Sequence, residues 1–101
     1  MVNFGLNSEF DITVNHPKED AFDKFLSHVN ESKQFNLTES KRSDTLYFRR
    51  KTSGWSLPID FTINFESIDE NHTKLMVKSQ SGTIDWGKAK GMINDIVKKI
   101  Y

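Results

Sequence analysis

The sequence predicts a two-layer α+β domain, an antiparallel sheet with two helices on one face, in the order β-α-β-β-β-β-α. Three observations carry this expectation. Apolar and polar residues alternate in five short stretches, apolar residues fall at helical spacing in two others, and polar or Gly/Pro-containing segments separate them. The 101 residues fit a single domain, 1–101, near the usual size for one hydrophobic core.

The first strand follows from Phe10, Ile12 and Val14 alternating with Asp11, Thr13 and Asn15, with Phe4 and Leu6 either extending it or covering one end of the core. Pro17 suits the first turn of a helix, and Glu19 and Asp20 suit its positive start. Phe22, Phe25, Leu26 and Val29 form an apolar stripe, so a helix is expected from about Lys18 to Asn30. Phe35 and Leu37 begin the second strand, with the polar run Glu39 to Asp44 as its turn. Leu46, Phe48 and Arg50 alternate with Tyr47, Arg49 and Lys51 in the third, and "KTSGWSLP" reads as a loop. Ile59, Phe61, Ile63 and Phe65 make the clearest alternation, "DENH" a turn, and Leu75 and Val77 a fifth strand. A last helix is expected from about Trp86 to Ile100, with the stripe Ala89, Ile93, Ile96, Val97 and Ile100 and Asp85 as its N-cap.

Composition excludes several chemistries. Fourteen Lys and Arg balance fourteen Asp and Glu, so no whole-molecule field draws the chain to nucleic acid or an anionic membrane. Without cysteine there is no disulfide or thiolate chemistry, and a metal would need histidine and carboxylate ligands. His16, His28 and His72 form no i, i+4 ligand pair and are expected at the surface, so no metal and no cofactor is expected. The first residues have neither the basic start nor the apolar core of a signal peptide, and no apolar run approaches a membrane span. A cytoplasmic location is expected, and the excess of Lys over Arg, with much Asn and Ile, points to an AT-rich bacterial source.

The segment "GTIDWGKA", Gly82 to Ala89, matches the phosphate-loop pattern G-x-x-x-x-G-K-[ST] except at its last position. Ala89 replaces the hydroxyl that would hold Mg²⁺, and Asp85 puts a negative charge inside an anion cradle. A strand end leading into a helix explains every residue of it better. Gly87 and Gly91, four apart, suggest a close backbone approach or space for a ligand beneath the helix.

A strand, a helix opening "HPKEDAFDKFL", an antiparallel meander and a long final helix resemble the helix-grip arrangement. That is the shape of Bet v 1-like and START-like lipid-binding domains, and of the TATA-binding-protein-like half-domain. The chain is similar in kind to small bacterial domains of this shape.

A non-enzymatic binding domain is the expectation. A small apolar or amphipathic ligand would lie between sheet and final helix, lined by Phe48, Phe61, Phe65, Trp86 and Ile93, with Trp55 at the mouth. A solid core would have the same composition. The alternative is a protein-interaction module using the outer sheet face, with Tyr47, Arg49, Lys51, Met76 and Lys78, or a strand edge. A third reading is nucleic-acid binding through the Lys41–Trp55 segment, where Lys41, Arg42, Arg49, Arg50 and Lys51 interleave with Tyr47, Phe48 and Trp55. The near balance of Arg49, Lys51, Lys74 and Lys78 against Asp11, Asp60 and Glu66 on that face argues against it.

Overall fold

The computed structural model describes residues 7–41, 44–50, 59–81 and 88–101. The elements are β1 (Asn7–Val14), α1 (Lys18–Glu31), β2 (Phe35–Lys41), β3 (Thr45–Arg50), β4 (Ile59–Asp69), β5 (His72–Ser81) and α2 (Lys88–Ile100). They form one antiparallel sheet of order β1-β5-β4-β3-β2. β1 and β2 are thus consecutive in sequence but lie on opposite edges. α1, which joins them, has to cross the whole inner face.

The period of two sorts the strands as expected. Val14, Phe35, Leu46, Phe48, Ile59, Phe61, Ile63, Phe65, Leu75 and Val77 are buried on the inner face, with Phe10, Ile12 and Leu37 half-buried beside them. α1 adds Ala21, Phe22, Phe25 and Val29, and α2 adds Ala89, Ile93 and Ile96. Full burial of one such large side chain stabilises the fold by about 1.5–3 kcal/mol relative to exposure.

Several boundaries differ from the sequence reading. The polar run after Leu37 does not all turn, because β2 continues to Lys41 past a register shift between Leu37 and Glu39. Backbone pairing with β3 sustains this edge strand where apolar alternation has stopped. β4 likewise extends to Asp69, where the Asp69 carboxylate accepts from the Asn71 N–H at 2.8 Å and closes the hairpin. α1 starts at Lys18 as expected, with Pro17 as its N-cap rather than inside the first turn, and the Pro17 carbonyl accepts from Ala21 N–H at 2.8 Å. Gly91 is a plain correction. It is exposed, and a Cβ built on it would meet nothing within 4 Å, so neither a close backbone approach nor space beneath the helix explains it.

Candidate functional site on the inner sheet face

The register of three central strands sets one row of side chains across the inner face. Phe48 of β3 stands opposite Phe61 of β4, and Phe61 opposite Ser79 of β5. The two phenylalanine rings stack, with centroids 5.0 Å apart and planes 18° apart. Phe35 of β2 meets both edge-on, at 5.4 Å from Phe48 and 6.1 Å from Phe61. Such ring pairs are worth about 0.5–1.5 kcal/mol beyond their area. Beyond the rings the row drops abruptly to a serine, placing a small hydroxyl-bearing side chain against the Phe61 position. Ser79 is 4% exposed, and Phe48 and Phe61 are 1% each.

This row lies at the end of the sheet where Ile59 pairs with Ser81 and Phe35 with Arg50. The expected pocket set divides there. Phe48 and Phe61 come together. Phe65 sits farther along β4 and packs edge-on against α1, 5.2 Å from Phe22 and 6.2 Å from Phe25. Ile93 is buried in α2, while Trp55 and Trp86 lie outside the described residues, as do Lys51, Arg42, Asp85 and both glycines of the phosphate-loop pattern. Sequence reasoning missed Ser79. Its signal was present, since Thr73, Leu75, Val77 and Ser79 continue one alternation, but a polar residue at an inner position does not register in an apolar pattern.

The outer face is polar, and three of its described cations are paired with carboxylates. Arg49 Nε lies 2.6 Å from Asp60 Oδ1, Lys78 Nζ 3.7 Å from Glu9 and Lys74 Nζ 3.8 Å from Glu66. The Asp60 hydrogen bond holds Arg49 firmly protonated. Tyr47 shares a row with Thr62 and Lys78, and Met76 with Asn64 and Asp11. Thr45 Oγ1 donates to Asn64 Oδ1 at 2.8 Å on the same face. Glu9, absent from the sequence-based tally, joins the face through its register with Lys78. The described side chains leave no cationic track.

The histidines are not uniformly exposed. His16 is half-buried, with Nδ1 2.9 Å from Asp20 Oδ2 and its ring 5.1 Å from that of Tyr101. The spacing of His16 and Asp20 across the helix start was the sequence signal for it. His28 lines an open cleft of about 470 Å³ with Glu31, Ser32, Lys33, Gln34 and Lys99, and burial, then the Lys99 charge, lower its pKa. His72 is bonded to Asp69 in the hairpin, 2.8 Å away. Asn71 N–H, then His72, holds the Asp69 carboxyl below its usual range. No group of three metal-ligating side chains occurs among the described residues, and no described helix is long and apolar enough to cross a membrane.

No family model and no curated protein matches the sequence. Solved structures do match the fold. An HSP90 activator from Plasmodium falciparum is 20% identical at TM-score 0.58, covering 75% of this chain and 73% of its own. The Zhui aromatase/cyclase from Streptomyces sp. R1128 is 11% identical at TM-score 0.54, covering 92% and 84%. A protein of Deinococcus radiodurans is 8% identical at TM-score 0.57, covering 92% of each chain. At such identities the likeness speaks for the backbone frame alone. With its five-stranded sheet crossed by α1 and closed by α2, the chain is a helix-grip domain by fold.

Proposed function

We propose that the chain binds one small amphipathic molecule against the inner sheet face, its apolar body on Phe48 and Phe61 and a polar group at the Ser79 hydroxyl. The observation that carries this reading is the row itself, two stacked rings followed by a serine at a buried position. A purely structural core gains more from an apolar residue there, whereas ligand sites combine apolar walls with a few placed polar groups. The aromatase/cyclase neighbour lends support, since its name denotes work on ring-forming molecules within the same fold. The row is buried without ligand, so binding has to part the elements above it, and the observed affinity is reduced by the fraction of open molecules.

Ser79→Leu tests the reading. If the row leaves space beside Phe61, the added side chain fills it, stability holds or rises, and ligand binding is lost. If the row is packed solid, overpacking lowers stability by about 1–3 kcal/mol, and the reading fails.

A second reading, a protein-docking role for the outer face, which neither described helix covers, is favoured by the HSP90 activator neighbour, whose name describes action on another protein. Its test is capture of a defined partner by wild type and loss of that capture on Tyr47→Ala plus Met76→Ala.

A further inference from the structure

At the opposite end of the sheet, where Val14 pairs with Thr73, a shallow cavity of about 320 Å³ opens between β1 and the end of α2. Its walls are Thr13, Val14, Asn15, His16, Val97 and Tyr101. His16 is fixed on this wall from three sides. Its Nδ1 meets Asp20 at 2.9 Å, its ring lies 5.1 Å from Tyr101 at 42°, and its carbonyl accepts from the buried Thr73 Oγ1 at 2.8 Å. Tyr101 is fixed in turn, its hydroxyl donating to the Ala21 carbonyl at 2.5 Å and its N–H to the Val97 carbonyl at 3.1 Å.

The chemistry of the ring follows from its partner. An ionised carboxylate only accepts, so whenever the ring is in its neutral form its proton sits on Nδ1, facing Asp20. Nε2 is then left with a lone pair, and it makes no hydrogen bond among the described residues. His16 lines the cavity with Nδ1 taken by Asp20, so Nε2 is the ring nitrogen left for an occupant, beside an aliphatic wall, Val97, and an aromatic one, Tyr101. The Asp20 carboxylate beside the ring repels negative charge, so the surroundings of His16 favour a neutral occupant. The volume stands at the lower end of the roughly 300–1,000 Å³ typical of ligand sites, which limits an occupant to one or two rings.

We propose that this cavity is a second binding site, separate from the inner-face row, for a small neutral aromatic molecule bearing one hydroxyl or N–H donor. The donor bonds His16 Nε2 and the ring lies along Val97 and Tyr101. Asp20 is a positioning residue, since it sets which nitrogen of His16 is free.

Phenol and anisole test this as a pair, because methylation of the hydroxyl removes the donor and keeps the ring. The full chain, labelled with ¹⁵N and ¹³C, is titrated to about 10 mM of each, enough to occupy most of a site with a Kd of about 1 mM. The result expected is a saturable shift of the His16 ring nitrogens and Val97 methyls with phenol, and binding of anisole weaker by at least about fivefold. Val97→Trp, which plugs the cavity and leaves the His16–Asp20 pair in place, abolishes the phenol response. His16→Phe removes the preference for phenol over anisole. Equal binding of the two probes, no response at His16 and Val97, or an undiminished response in folded Val97→Trp overturns the proposal. Shifts confined to Phe48 and Phe61 also overturn it, while favouring the inner-face site.

Discussion

The Tyr101 hydroxyl donates to the carbonyl oxygen of Ala21, so the residue after α2 is bonded to the first turn of α1, 80 positions earlier in the chain. Burial, and then the negative charge of Asp20, raise the pKa of this phenol. A phenol whose folded pKa exceeds its unfolded value near 10 holds its proton more tightly when folded. Its stabilising contribution is complete below about pH 10 and is lost as pH rises beyond it. Tyr101→Phe is expected to cost about 1 kcal/mol at neutral pH through the lost hydrogen bond. Above about pH 10 the variant should lose less stability than wild type, because it lacks the group that ionises. Urea midpoints of both proteins across that range check this, and parallel pH curves would count against it.

Gly91 gives an opposite sign. It is exposed within α2, and a Cβ there meets no atom within 4 Å. Gly91→Ala should therefore raise stability by about 1 kcal/mol, from helix propensity and reduced freedom of the unfolded chain. Equilibrium urea unfolding measures it. A decrease would mean that the glycine position is needed by something the described fold does not place there.

Phe25 is the ring through which α1 holds the sheet. It is fully buried, 5.9 Å from Phe48 and 6.2 Å from Phe65 between ring centroids. Phe25→Ala should cost about 3–5 kcal/mol, a large part of the roughly 5–15 kcal/mol typical of a whole domain. Thermal unfolding followed by circular dichroism reports it, and a loss below about 1 kcal/mol would show that α1 is not held by this ring.

On the outer face, the ion pairs of Arg49 and Lys78 with Asp60 and Glu9 leave little for a phosphate backbone. Fluorescence anisotropy with a labelled oligonucleotide should show no salt-dependent binding at physiological ionic strength. Arg49→Ala plus Lys78→Ala should change nothing in that assay. Binding that falls steeply with salt, and falls further in the double variant, would reinstate the nucleic-acid reading.

The sequence made the elements legible because alternation and helical spacing are local. Phe10-Ile12-Val14 and Ile59-Phe61-Ile63-Phe65 showed which side of each strand faces inward, and the buried set agrees. Strand order is not local. Nothing in the β1 sequence says that it pairs with β5 at the far edge from β2, since that pairing depends on how far α1 travels. Ser79 escaped notice because one polar residue ends an apolar pattern without revealing what it faces. The surroundings of His16 escaped because Thr73 and Tyr101 reach it from 57 and 85 positions away in the chain. Gly91 was misread because helix composition does not say which side of the helix is covered.

The most direct test of the inner-face site is a methyl and aromatic NMR titration of the full chain with fatty acids, sterols and small aromatic alcohols. The expected result is saturable shifts, with one of these classes, at Phe48, Phe61 and the neighbours of Ser79, absent in Ser79→Leu. If those signals stay fixed with every class while the protein remains folded, the row is a packed core, and the proposed ligand site is contradicted.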